Sequence, residues 1–116
     1  LGIADLAARG EGAHGWVFRA WQPTLGREVA IKVGKGAPQR ARIDPLELQA
    51  QGMARLDHPS VPRIFAHGYL GVRGPSYLML PWIEGRSLAA RLEDPARPLA
   101  VEELARVARE LASALH

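Results

Sequence analysis

The stretch Arg9–Val33, RGEGAHGWVFRAWQPTLGREVAIKV, decides the fold. Its first part places glycines at 10, 12 and 15. Its last part, Arg27–Val33, is an apolar run interrupted by Lys32. GWVFRAW, Gly15–Trp21, is aromatic and β-branched, as strands prefer. PTLG, Pro23–Gly26, has turn chemistry. REVAIKV reads as a buried strand. With the mostly apolar Ile3–Arg9 leading in, the pattern predicts three antiparallel strands in a meander.

A G-x-G-x-x-G run serves one of two purposes. Between a parallel strand and a helix it seats a dinucleotide pyrophosphate at the helix N-terminus. Between two antiparallel strands it forms a hairpin flap over phosphates. The residues after Gly15 decide: WVFRAW has no helical spacing, and no acidic ribose-binding residue follows at the required distance on a second strand. An ordinary glycine hairpin with no ligand would look the same. Lys32 separates these readings. An unpaired ammonium buried in an apolar strand is costly, so it must snorkel or meet an anion. A polyphosphate under the adjacent flap would satisfy it.

Composition bounds the remaining possibilities. The 116 residues suffice for one domain with a modest core, and 47% are hydrophobic, which suits a globular chain. No apolar run approaches membrane-spanning length, and no signal-peptide pattern opens the sequence. The absence of cysteine excludes disulfides and thiolate metal sites. The net charge is +3, with basic residues scattered rather than gathered into a patch with interleaved aromatics, so no nucleic-acid partner is expected. Of the 15 basic residues only Lys32 and Lys35 are lysine, and asparagine is absent. That bias fits a GC-rich bacterial genome, in which a lysine kept inside a strand carries more meaning. The chain opens at Leu1 and closes at His116 within a helical pattern, so a segment of a longer protein is expected.

Farther along, Gly34–Arg42 reads as a loop. Asp44–Asp57 reads as a helix, with Asp44 as N-cap, Pro45 at the first position and Leu46, Met53 and Leu56 on one face. Gly52 weakens that helix by about 1 kcal/mol against alanine. Two strands follow, in 62–70 and 76–83, joined by GVRG. Ser87 caps a short helix, Ser87–Glu93. Val101–His116 is strongly helical, with Leu104, Val107, Ala108, Leu111 and Leu115 at helical spacing and a Glu102–Arg106 pair four residues apart. The expected architecture is α+β, with one five-stranded antiparallel sheet.

Here the sequence resembles a known family. Gly10, Gly12, Gly15 and Val17 match the G-x-G-x-x-G-x-V loop of protein kinases, and Val29, Ala30, Ile31 and Lys32 match their V-A-I-K strand. LDHPSVPRIFAHG, Leu56–Gly68, resembles the H-P-x-[IV] joint after the regulatory helix of bacterial-type Ser/Thr kinases. YLMLPWIEGRSLAARL, Tyr77–Leu92, resembles their hinge. The resemblance implies the N-terminal lobe of a eukaryotic-like Ser/Thr protein kinase. Residues 1–83 would be the ATP-binding lobe, with its glycine loop at 10–15, lysine strand at 27–33 and regulatory helix at 44–57. Residues 84–116 would be the hinge exit and the first helices of a second lobe, ending before the catalytic loop.

The resemblance also implies roles. Gly10, Glu11, Gly12, Ala13, His14 and Gly15 would cover the ATP phosphates, and Lys32 would contact them. Val17 and Ala30 would pack on adenine, and Leu80 would stand behind it. The carbonyl of Pro81 and the N–H of Ile83 would pair with the adenine edge, and Ser87 would lie near the ribose. His58 would brace the joint through hydrogen bonds, and Trp16, Trp21 and Trp82 would serve packing. The parent would be a cytoplasmic transferase moving the ATP γ-phosphoryl group to Ser or Thr of an unknown protein. Mg²⁺ would act there through ligands not in these 116 residues, and this segment alone would be inactive.

Two departures stand out. Arg9 occupies a usually apolar position, where its stem or guanidinium would have to cover the ring. Gln49 occupies the position of the usual lysine-pairing glutamate, with Glu47 on another side of the helix. A neutral amide there leaves open a pseudokinase or scaffold module that binds ATP weakly or not at all. A small-molecule phosphotransferase of kinase-like fold is a further alternative, which the H-P joint and the E-G-R-S-L hinge disfavour.

Overall fold

Alternation along β3 (Arg27–Gly34) sorts the whole sheet. Val29 and Ile31 are fully buried on one side, and Ala30 and Lys32 face the other. The computed structural model describes residues 2–12, 15–35, 44–72 and 74–115. Within them β1 (Ala4–Gly12), β2 (Gly15–Gln22) and β3 form the expected meander. Helix α1 (Pro45–Ala54), β4 (Ala66–Tyr69), β5 (Ser76–Pro81), α2 (Leu88–Glu93) and α3 (Val101–Leu115) follow. The five strands are antiparallel in the order β1-β2-β3-β5-β4, which puts β3 at the centre.

Each sheet face has its own core. On the first, Ala20, Val29, Ile31 and Met79 pack with Ile3, Phe18, Val33, Phe65 and Tyr77. The Arg27 guanidinium lies 3.5 Å over the Phe65 ring and closes one margin of that cluster. On the second, Leu78, Leu80 and Ala30 meet Ala50 and Met53 of α1, with Ile64 beside them. Gly34 lies beside the start of α1, where a Cβ would press on Ser76 Oγ of β5 at 3.2 Å and touch Leu46 Cδ1 at an ordinary 3.7 Å.

Several boundaries differ from the sequence reading, for local reasons. Asp44 is the N-cap, accepting from the Leu46 N–H at 3.1 Å, so the helix begins at Pro45. It ends at Ala54 rather than Asp57, because Arg55 and Leu56 bond back three residues, to Gly52 and Met53. The residue before Pro59 is in any case biased away from helix. Leu56, expected on the buried face, is therefore turned out and 44% exposed, while Ala50 takes its place. The strand expected over 62–70 is paired only over Ala66–Tyr69. Pro62 has no N–H to give, and the lead-in contributes one bond, Phe65 N–H to the Met79 carbonyl at 2.8 Å. The strand expected to reach residue 83 stops at Pro81, beyond which Trp82 N–H meets the Glu28 carbonyl only at 3.5 Å.

Strand β1 carries irregularities that the sequence did not announce. Ala4 pairs with Trp21 and Ala7 with Arg19, so one extra residue sits between them, and Asp5 absorbs it with φ of 53°. Ala8 pairs with Phe18 and Gly10 with Val17, which leaves Arg9 as a second unpaired extra, exposed to solvent.

The chain divides into two compact units. The first holds the sheet and α1. The second takes His58–Val61 and the residues from Ile83 onward. In the second unit Ser87 caps α2 by accepting from the Ala90 N–H at 3.1 Å. His58 Nδ1 accepts from the Ser60 N–H at 3.0 Å, so its Nε2 carries the proton and donates to Ser113 Oγ of α3 at 2.9 Å. Glu102 and Arg106 form no ion pair among the described residues; Glu103 is the acid that finds a partner, Arg91 at 3.3 Å. No helix of the described residues is long and apolar enough to cross a membrane.

Gly52 and Gly34 test this description together. A Cβ on Gly52 would meet nothing within 4 Å. Gly52→Ala should therefore stabilise α1 by roughly 0.5–1 kcal/mol, read as slower exchange of its amide hydrogens. Gly34→Ala should leave that exchange near the parent rate, because the new Cβ meets Leu46 at an ordinary 3.7 Å and only the Ser76 hydroxyl, at 3.2 Å, has to give. Faster exchange in Gly52→Ala would mean that the space beside Gly52 is not open.

Candidate functional site

On the α1 face of the sheet, the ladder lays out two rows. Val17, Lys32 and Leu78 form one row across β2, β3 and β5, and Arg19, Ala30 and Leu80 form the next. Lys32 is thus flanked on both sides by apolar neighbours. Its polar partner comes from above: Nζ donates to Gln49 Oε1 at 3.3 Å, and Gln49 Nε2 leans on Met53 Sδ at 3.8 Å. Leu46, one turn before Gln49 and Ala50, anchors that part of α1 to the sheet.

Beside this pair lies a cavity of about 160 Å³, lined by Gly12, Gly15, Trp16, Val17, Lys32, Leu46 and Gln49. Of the residues expected at a phosphate-holding site, it gathers Gly12, Gly15, Val17, Lys32 and Gln49. Gly10, Glu11, Ala30, Leu80 and Pro81 do not line it. Ala13 and His14 lie outside the described residues. Ile83 belongs to the second unit, where it is 66% exposed.

Gly15 is required by close approach, since a Cβ there would collide with the Val33 carbonyl. That carbonyl belongs to the neighbouring strand, so the glycine lets β2 and β3 come together at the cavity's edge. Gly12 pairs directly with Gly15 where the hairpin begins to open. Glu11 is tied to Lys35 at 2.6 Å, and the Lys35 ammonium lies 5.3 Å from the Trp16 ring centroid. These contacts connect the hairpin to the end of β3.

A second polar group borders the same face. Arg19 grips Glu28 with two bonds, Nε to Oε1 at 2.9 Å and a terminal nitrogen to Oε2 at 2.6 Å. Its guanidinium carbon stands 4.9 Å from the centroid of Trp82. Glu47 does not turn toward Lys32. Its Oε2 accepts from the Tyr69 hydroxyl at 3.1 Å, and that bond is the first cause of a raised Tyr69 pKa.

Sequence reasoning missed Trp16 and Leu46 as cavity lining, along with Lys35 and Tyr69. For Leu46 a signal existed: three residues before Gln49, it shares that side of the helix. Trp16 and Lys35 carried none, because only the ladder brings them together.

What the arrangement can do chemically follows from its donors. A lysine ammonium and a glycine hairpin at an apolar cavity suit a polyanion, since glycine lets backbone N–H groups approach closely. Among the described residues there is no group of three or more His, Cys, Asp or Glu that could hold a metal ion.

Comparison with known proteins agrees with this setting. A family model described as protein tyrosine and serine/threonine kinase matches residues 6–116. The chain is 33% identical over 97 residues, 82% of its length, to the DNA damage-responsive serine/threonine-protein kinase RqkA of Deinococcus radiodurans. It is 28% identical over 94 residues, 81% of its length, to the inhibitor of nuclear factor kappa-B kinase subunit epsilon of Mus musculus. It spans only 14% and 13% of the lengths of these relatives.

The tight approach at Gly15 is testable without a ligand. Gly15→Ala should cost about 1–3 kcal/mol, because the β2–β3 ladder must part to admit the methyl. Hydrogen exchange should quicken at the amides near Val33, and Trp16 emission should shift as its packing loosens. Unchanged exchange there would show that the hairpin does not close on Val33.

Proposed function

Because the chain belongs to the protein tyrosine and serine/threonine kinase family, we propose that its first unit holds the nucleotide in a kinase passing the ATP γ-phosphoryl group to Ser or Thr hydroxyls of a protein. The observation that carries this reading is Lys32, set in an apolar ladder, held by Gln49 and opening on the glycine-edged cavity. The donor set fits a triphosphate. Lys32 would meet the phosphate oxygens, and backbone N–H groups of the hairpin would cover them. Val17 and Ala30 would pack on the base, with Leu80 behind it, and Pro81 would offer its carbonyl to the edge of the base. Residues 1–83 would form the nucleotide lobe and residues 84–116 the exit toward the second lobe. The working compartment would be the cytoplasm.

In such a transfer the substrate hydroxyl gives its proton to a general base and its oxygen bonds to the γ-phosphorus as the bond to the β–γ bridging oxygen breaks. Charge then gathers on the departing diphosphate. This chain's contribution would be to compensate that charge with Lys32 and to fix the phosphates under the hairpin. Magnesium entering with the nucleotide would supply further positive charge to the phosphates.

Gln49 supports a second reading. Its amide binds Lys32 without a negative charge, so the pair is weaker than an ionic one. That weakness suits a slow kinase, or a pseudokinase that keeps the fold as a binding module.

One set of variants of the intact protein separates the readings. Lys32→Met keeps the stem's packing and removes the charge, so phosphoryl transfer should fall to background. Gln49→Glu should raise the transfer rate by roughly fivefold to thirtyfold, for about 1–2 kcal/mol of added charge assistance. Activity surviving Lys32→Met would overturn the assignment of Lys32. No ATP binding in either the wild type or Gln49→Glu would favour the pseudokinase.

A further inference from the structure

Two side-chain hydrogen bonds join α1 to the sheet among the described residues, and they lie on opposite flanks of the helix. Leu46 and Ala50 form the buried line of α1. At about 100° per residue, Glu47 falls roughly 80° to one side of that line and Gln49 roughly 80° to the other. Gln49 accepts from Lys32 of the central strand β3, at 3.3 Å. Glu47 accepts from Tyr69 of the edge strand β4, at 3.1 Å. Rolling the helix to improve one contact draws the other apart.

The apolar contacts fix that roll only loosely. The buried α1 residues are one leucine and one alanine, and Met53, the partly buried third, is an unbranched and adaptable side chain. Directional bonds must set it more closely. Each bond pairs one charged group with one neutral group, the Lys32 ammonium with an amide and the Tyr69 phenol with a carboxylate. Tyr69–Glu47 is the shorter of the two, 3.1 Å against 3.3 Å. The Tyr69 ring is also steered: His67, two residues earlier on the same strand face, meets it edge-on with centroids 5.8 Å apart. The Tyr69 pKa is raised first by the Glu47 hydrogen bond, so the neutral, donating phenol is the form the fold selects.

We propose that Tyr69 is a positioning residue. By holding Glu47 from the edge strand, it fixes the roll of α1 at which Gln49 reaches Lys32. The contact does from the far flank of the helix what an ionic partner of Lys32 would do from the near flank. The inference rests on the nucleotide-holding reading of Lys32, and it predicts a dependence that a merely structural contact would lack. Tyr69 should matter while residue 49 is a glutamine and cease to matter when residue 49 is a carboxylate.

The test uses the intact protein as wild type, Tyr69→Phe, Gln49→Glu and the double variant. Tyr69→Phe keeps the ring and removes only the hydroxyl. In the Gln49 background it should lower kcat/KM for ATP roughly threefold to tenfold, through a bond modest in size because Tyr69 is 54% exposed. In the Gln49→Glu background the same change should cost less than about twofold. Hydrogen exchange of the α1 amides gives a readout independent of turnover. It should quicken with Tyr69→Phe alone and stay near the parent rate in the double variant. An equal effect of Tyr69→Phe in both backgrounds would overturn the proposal and leave Tyr69 a general packing contact. No effect in the Gln49 background, on kinetics or exchange, would also overturn it. Failure of the nucleotide reading has a different signature: Lys32→Met would leave activity intact, while the exchange pattern would still report whether Tyr69 sets the helix.

Discussion

The structure depends on one uncomfortable charge. Lys32 sits in the central strand between Val17 and Leu78, in a row with no other polar side chain. A half-buried ammonium in such a row needs an oxygen within reach, and the carboxylate that β3 carries on that face, Glu28, is held by Arg19. The oxygen must come from another element lying over the sheet. That requirement ties α1 to this face and Gln49 to this turn of the helix. It also leaves part of the ammonium's surroundings open at the glycine hairpin, where an anion could complete them.

The opposite face explains why the sheet tolerates the arrangement. Val29 and Ile31 alternate with Ala30 and Lys32, so one strand supplies a dry core to one side and a working surface to the other. The first side is filled by aromatic and branched residues from β2, β5 and the segment before β4. The second is smaller, with Ala30 and Ala50 among its side chains. Small residues there bring the helix close enough for a glutamine to touch the lysine.

How much of this was legible in the sequence varied with how local the cause was. The meander and Lys32 were legible because β-branched residues, a turn and the V-A-I-K letters all fall within one short stretch. The Asp44 cap was legible for the same reason. The ends of β4 and β5 were not, because each is set by a hydrogen bond to a distant residue or by its lack, as at Pro62 and Trp82; α1 stops where Arg55 and Leu56 bond back only three residues, which the residue pattern did not show. The extra residues at Asp5 and Arg9 were invisible, since a bulge is a mismatch between two strands and neither strand shows it alone. At the site, Gln49 could be placed by counting back from His58-Pro59. Trp16 and Lys35 could not, because they lie beside one another only after β2 and β3 have paired.

The helices separate two properties that sequence patterns tend to merge. Val101–Leu115 has the strongest helical periodicity of the chain, yet α3 buries none of its residues. Its Leu104, Leu111 and Leu115 remain exposed. Pro45–Ala54 has a weaker pattern and an interior glycine, yet it buries Leu46 and Ala50 against the sheet. Periodicity reports that a helix has a face; it does not report what that face meets. For α1 the docking surface is small, and most of its specificity is polar. A helix held this way is stable in place but lightly constrained in roll. Its working geometry is then governed by Lys32–Gln49 on one flank and Tyr69–Glu47 on the other, so a site in the centre of the sheet is coupled to a residue on its edge strand.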